Sequence, residues 1–308
     1  MELHFFEVHI CGQRKKGMKT MEFNKEEELK HYRELWQSRK KSGMSHGSAD
    51  WDKRSYGWVK ELKENPVRSA RSKRRVEETA KYLRGRGLLT GDDHVIDIGC
   101  GPGRFVCEFA KSAGSVTGTD ISEQMCVFGK EYADSLGLSN VTYTPCDFSQ
   151  ADIDELGWRG AFDLVFSSIT PAMSTYEAMK KAETMSRGWC FQSLFINISN
   201  SLADIVLKEA LPEELQPVER NIMPFYALFN ILLLEGKRPE TKYFKEEEDE
   251  RAPADDDFVR EMLKMAPKAS QSEEMAERVK NALMKYADEE GMVSTHKEWH
   301  YGWILWHV

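Results

Sequence analysis

Residues 95–105, VIDIGCGPGRF, join a short apolar run to Gly99, Gly101 and Gly103 at alternate positions, with Asp97 just ahead of them. Glycine at that spacing removes side chains where a strand must turn sharply into a helix and where a ligand must approach the main chain closely. A fingerprint for a dinucleotide would read G-x-G-x-x-G, and its third glycine would fall where this chain has Arg104. The spacing therefore argues against a pyrophosphate ligand.

Further chemistry-bearing residues follow in order. VTGTDIS carries Asp120 at a strand end, with Ile121 after it, and a carboxylate there can accept both hydroxyls of a ribose. SEQM adds Met125, TPCDF adds Asp147 and Phe148, and FDLVFSSITPAM adds Ser167. Each group falls at or just beyond the carboxyl end of an expected strand, where open α/β sheets bind their ligands.

In this order the motifs resemble those of the class I S-adenosylmethionine-dependent methyltransferases, and the resemblance covers about residues 75–198. It implies Asp97 near the cofactor's ammonium, with Gly99, Gly101 and Gly103 along its amino-acid end. It implies Asp120 and Ile121 at the ribose, Met125 against the adenine, Asp147 and Phe148 at the adenine amino group and ring edge, and Ser167 near the methyl-transfer mouth. For Met125, packing inside its helix is an equal alternative. The implied reaction is in-line attack on the sulfonium methyl, releasing S-adenosylhomocysteine and needing no metal. SSITPAM is not the [DN]-P-P-[FY] signature used for planar amides and base nitrogens, which lowers adenine, cytosine and glutamine as acceptors.

The elements that must position these residues alternate between short apolar strands and helices, the pattern of a parallel sheet covered on both faces. Strands are expected at residues 94–98, 115–120, 141–145, 162–167 and 189–197, with helices at 104–112, 122–136 and 176–186. A short extended stretch, TKYFKEE, and a closing strand, WHYGWILWHV, bring the sheet to seven, the last expected to complete its edge. The acidic run EEEDERAPADDD between them reads as a solvated loop and helix start, since contiguous carboxylates lack EF-hand spacing. The fold class is thus α/β: a doubly wound, mostly parallel, seven-stranded Rossmann-like sheet with a helical N-terminal cap and an insertion after the fifth strand.

Three segments are expected: a leader at 1–23, disordered or dispensable; a helical cap at 24–86; and the catalytic domain at 87–308, with a lid-like insertion at about 211–236. In the cap, WDKRSYGW offers Trp51 for the substrate and Tyr56 for the cofactor, against an even alternative of simple aromatic packing. In the insertion, PFYALFNILL offers Phe225, Tyr226 and Phe229 as an apolar substrate pocket, with core burial the stronger alternative for most. His31, His46, His296 and His300 have the intrinsic pKa of a proton acceptor, yet no sequence context selects one, so the catalytic base is left unassigned.

Residues 1–86 hold 22 Lys and Arg against 13 Asp and Glu, a net +9 that leaves −17 to the remainder of a chain carrying −8 overall. The basic residues are interleaved with Glu at helical spacing, which reads as solvated amphipathic helix rather than a nucleic-acid surface. No segment reads as a membrane span or signal peptide. The six cysteines lack C-x-x-C or cluster spacing and read as reduced, mostly buried thiols. The expectation is a cytoplasmic enzyme methylating a small organic molecule, with nucleic acid an unlikely partner. RNA or protein methylation stays open on the basic density of residues 68–86, and so does a non-catalytic cofactor-binding module.

Overall fold

The computed structural model describes residues 23–37, 47–217 and 222–308. The leader up to residue 22, Cys11, His46 and the end of the first expected helix lie outside the described residues. Strands β1 (His94–Ile98), β2 (Ser115–Asp120), β3 (Val141–Pro145), β4 (Phe162–Ser168) and β5 (Ser186–Asn200) are all parallel, while β6 (Glu240–Pro253) and β7 (Met292–His307) close the sheet. The order is β3-β2-β1-β4-β5-β7-β6, with β7 antiparallel to both neighbours. This is the expected seven-stranded, mostly parallel, doubly wound architecture. Chain direction across the sheet reverses between β1 and β4, which opens a crevice at their carboxyl ends.

Helices α4 (Arg104–Ala110) and α5 (Glu123–Ser135) cover one face together with α3 (Pro66–Gly85). Phe105, Phe109, Phe166, Phe191 and Trp303 fill the core beneath them. The other face carries α6 (Tyr176–Met185) and α8 (Met223–Leu234), with α1 (Lys25–Gln37) packed on both. Trp36 of α1 is buried in that core, so the stripe of apolar residues on the first helix finds its partner on α8. α2 (Ser48–Glu64) lies on α5 and α3. The segment expected as a cap is therefore distributed over both faces.

Two expectations about the C-terminal third are corrected. WHYGWILWHV does not form the sheet edge: β7 lies between β5 and β6, and β6 is the edge strand. The acidic run is not a loop either, because its residues up to Pro253 continue β6, paired with β7 from Glu240↔Leu305 to Pro253↔Met292. Alternation explains how so charged a strand is tolerated. Glu246, Glu248 and Glu250 point to one face, where Arg71 meets Glu248 and Lys297 meets Glu250, each at 2.5 Å.

Ser193 of β5 pairs with Ser168, the last residue of β4, and β5 then runs seven residues further to Asn200. At strand rise this carries the β5–β7–β6 ribbon about 20 Å beyond the carboxyl edge of the parallel strands. There α7 (Ser201–Ala210), α9 (Asp256–Leu263) and α10 (Glu273–Leu283) enclose a separate small core with Ala254 and Val293. The chain's insertions thus fall both after β5 and between β6 and β7: α7, α9 and α10 gather at the far end of the ribbon, while α8 packs on a face of the sheet. No helix among the described residues is long and apolar enough to cross a membrane.

Candidate functional site

β1 delivers Asp97 to the crevice almost fully buried, at 2% exposure, and its Oδ2 has no hydrogen-bond partner. Burial, then the negative charge of Asp120, holds this carboxyl well above the usual carboxylate range. An unpartnered buried acceptor costs roughly 1–3 kcal/mol or more, so the position is built to receive a donor.

The loop after β1 is stitched to β2. The amides of Gly99 and Cys100 donate to the Thr119 carbonyl at 2.7 and 3.0 Å, and the Gly101 amide donates to Asp120 Oδ2 at 2.9 Å. Gly99 and Gly101 both take left-handed backbone, at φ 72° and 54°, for different reasons. A Cβ on Gly99 would collide with Thr170, so this glycine lets the β4 turn close on the loop. A Cβ on Gly101 would meet nothing within 4 Å, so the space beside it is open for a ligand. Gly103 is required by packing, since a side chain there would strike the Tyr143 ring from β3.

Asp120 accepts from Ser122 N at 3.0 Å on its other oxygen and is pushed up by burial, against which its backbone hydrogen bonds act. Each carboxylate oxygen keeps a further lone pair for a ligand hydroxyl. Ile121 is half-buried beside it, and Met125 is buried in the first turn of α5. Across the crevice, Ile169 follows β4 at φ 53°, the single positive-φ residue that is not glycine among the described residues. A β-branched side chain in that region costs about 1–3 kcal/mol and persists where its surroundings over-determine it. Here the Ile169 amide is fixed to the Ser193 carbonyl at 3.0 Å, and Thr170 next to it covers Gly99 while its Oγ1 accepts from Ala172 N at 3.2 Å. Ser193 Oγ and Gln192 Oε1 are buried without partners, while the Gln192 amide holds the Met173 carbonyl at 2.8 Å.

The remaining expected residues lie farther out. Asp147 is exposed at the end of β3, its Oδ1 accepting from Ser149 N and Oγ at 3.0 and 2.7 Å. Phe148 is buried beneath Lys181, whose ammonium pins the Phe148 carbonyl at 2.8 Å. Ser167 is fully buried, its hydroxyl 3.4 Å from the Phe191 carbonyl. Tyr56 of α2 packs against α5, donating to Gln124 Oε1 at 2.8 Å with its ring edge-on to Phe128, and Trp51, also of α2, lies under Arg54. Phe225 packs in the core against Gly302, Tyr226 faces Tyr32 of α1, and Phe229 is half-buried in the same layer. The aromatics of α2 and those of α8 thus occupy opposite faces of the sheet.

The described histidines find their partners away from this crevice. His296 pairs with Asp249 at 2.8 Å and Glu298 at 3.3 Å, partners that raise its pKa and hold its proton, and His300 pairs with Glu298 at 3.1 Å. His31 stands edge-on to Tyr32 on α1. Glu247, His296 and Glu298 bring potential metal donors within 4.8 Å of one another, but Lys245 bridges the two carboxylates, at 3.3 and 2.5 Å. Sequence reasoning missed Asp52, Tyr143 and Ile169. Asp52 has no signal of its own, because its partners are 70 and 72 residues away.

The crevice therefore offers a buried acidic pocket, a side-chain-free loop and a strand-end carboxylate. That set fits a cofactor with a cationic amino-acid end and a ribose, as S-adenosylmethionine has.

Residues 89–248 match the family model described as a methyltransferase domain, over half of the chain. A 59-residue segment is 39% identical to a 23S rRNA (uracil(1939)-C(5))-methyltransferase of Marinomonas posidonica, covering 19% of this chain and 14% of that one. An 88-residue segment is 34% identical to a sterol 24-C-methyltransferase of Eremothecium gossypii, covering 28% and 22%. The chain thus matches less than a quarter of the length of either relative. Among solved structures, magnesium protoporphyrin IX methyltransferase from Synechocystis with SAH bound is 19% identical, at a TM-score of 0.48 over 64% of this chain and 90% of that one.

Proposed function

The chain belongs to the class I S-adenosylmethionine-dependent methyltransferases, and on that premise we propose that it methylates a small organic molecule at the carboxyl edge of β1 and β4. Asp97 would hold the cofactor's ammonium, the Gly99–Gly103 loop its amino-acid chain, and Asp120 its ribose hydroxyls. Asp147 and Phe148 would border the adenine. The bound cofactor supplies an electrophilic methyl group on a sulfonium. The protein's own task is to align a nucleophile, exclude water and accept a proton where the nucleophile carries one.

One observation carries the small-molecule reading: most arginines of the basic segment 68–86 are engaged by partners within the chain. Arg71 pairs with Glu248 at 2.5 Å and lies 3.7 Å from the Trp299 ring centroid, while Arg75 lies over Tyr301. Arg84 pairs with Glu108 at 2.8 Å, Arg86 with Glu240 and Arg68 with Glu61. A cation already neutralised has no counterions to release from a phosphate backbone. The five described cysteines are free thiols, which suits the cytoplasm we assign.

RNA methylation is the second reading, favoured by the likeness to the rRNA enzyme. Equilibrium RNA binding tests it. We expect nothing tighter than roughly the micromolar non-specific range at physiological salt. A nanomolar, salt-sensitive complex would replace the small molecule with RNA.

A further inference from the structure

We propose that Asp52, in helix α2, is a positioning residue for the ribose clasp, acting through Ser122 on Asp120. The inference rests on the reading of Asp120 as the ribose ligand.

α5 begins at a serine cap whose own capping box is incomplete. Ser122 Oγ accepts from Met125 N at 3.1 Å, but the third helical position is Met125 itself, with no acceptor to reach back. Asp120 takes the Ser122 amide that such a residue would hold, and Asp52 adds a further acceptor from another helix. Its Oδ1 takes the Ser122 hydroxyl proton at 2.5 Å and the Gln124 amide at 3.3 Å, placing a carboxylate at the positive end of α5. Ser122 is fully buried, so its hydroxyl cannot turn to water instead.

The Ser122 amide is the donor that fixes Asp120 Oδ1, and Asp120 Oδ2 holds the Gly101 amide. A continuous chain of hydrogen bonds therefore runs from α2 through Ser122 and Asp120 to the glycine loop. Asp52 is itself held, since the buried Ser55 hydroxyl donates to its carbonyl at 2.7 Å. With the Ser122 side chain released, its amide is free to shift, and Asp120 loses the direction in which it presents lone pairs to a ribose.

The test is calorimetric titration of the full chain and its Asp52→Ala and Asp52→Asn variants with S-adenosylhomocysteine and with its 2′-deoxy analogue, beside ligand-free melting curves. Asp52→Ala is expected to bind S-adenosylhomocysteine about tenfold more weakly, the loss of a charge-assisted hydrogen bond. Asp52→Asn keeps the acceptor and should stay within about threefold. Because the effect passes through the ribose hydroxyls, the deoxy analogue should bind the parent and Asp52→Ala more nearly alike. Unchanged affinity in a folded Asp52→Ala, or an equal loss for both ligands, would overturn the proposal. A lowered melting temperature with normal affinity in the folded fraction would make Asp52 merely structural. If the parent protein fails to bind S-adenosylhomocysteine, the cofactor reading fails instead.

Discussion

The glycine loop and the β5–β7–β6 ribbon are held by different forces. Around Asp97 and Asp120 the main chain does most of the work of fixing the loop: loop amides meet the Thr119 carbonyl and the Asp120 carboxylate, and three left-handed glycines set the path. Along the ribbon, under α3, side chains from distant parts of the chain meet in pairs. Arg71 reaches Glu248, Tyr301 donates to the buried Glu246 at 2.8 Å, and Phe244, Tyr301 and Trp303 layer beneath the arginines of α3. A site fixed by backbone tolerates few substitutions and leaves a short local signature. One fixed by scattered side-chain pairs can change piece by piece and leaves no local mark.

That contrast is broken most sharply within the glycine loop. Gly99→Val adds a collision with Thr170 to left-handed strain and should destabilise the fold by about 2–5 kcal/mol. Gly101→Val, with open space around it, should cost only about 1–2 kcal/mol of stability yet abolish measurable cofactor binding. Melting curves and cofactor titration check both, and equal melting temperatures would deny the different roles of the two glycines.

Asp120→Ala should weaken S-adenosylhomocysteine binding by about 1–3 kcal/mol while the protein stays folded. An unchanged dissociation constant by calorimetry would remove Asp120 from the site.

On the other side, Arg71→Ala strips an ion pair and a cation–π contact that are mostly screened from solvent, at about 1–2 kcal/mol of stability. Cofactor affinity should be untouched, since the ribbon is not its binding surface. A loss of affinity exceeding the loss of stability would merge the two regions into one site.

The smallest effect is a pH dependence. With its folded pKa raised, Asp97 keeps a proton that the unfolded chain releases near pH 4, so ligand-free stability should fall as pH rises through that window. A cation at Asp97 favours the ionised carboxylate, so S-adenosylmethionine should bind with proton release and more tightly as pH rises through the raised value. Binding enthalpies compared in buffers of different ionisation heat would detect the proton, and Asp97→Asn should release none.

The same division explains what was legible in the sequence. Gly99, Gly101 and Asp120 could be read because backbone conformation and strand-end position leave marks within a few residues. The positions and parallel direction of β1 to β5 followed from short apolar runs alternating with helices. The acidic strand β6 could not be read, because what tolerates Glu246 and Glu248 is an arginine-rich face of α3 some 170 residues earlier, Arg71 and Glu248 being 177 apart. Local charge density alone pointed to a loop. Phe225 read as a pocket residue with core burial the stronger alternative, and Gly302 of β7 lying under its ring places it in the core. Asp52 stood one residue from Trp51, which drew attention as an aromatic, while the hydrogen bonds that distinguish Asp52 join it to α5.

The central claim is methyl transfer from S-adenosylmethionine to a small molecule, and it is tested most directly by following labelled methyl into a cell extract split into metabolite, RNA and protein fractions. The account predicts label in the low-mass metabolite fraction, lost with Asp120→Ala. Label in RNA or protein alone, or in no fraction although the protein binds the cofactor, would contradict it.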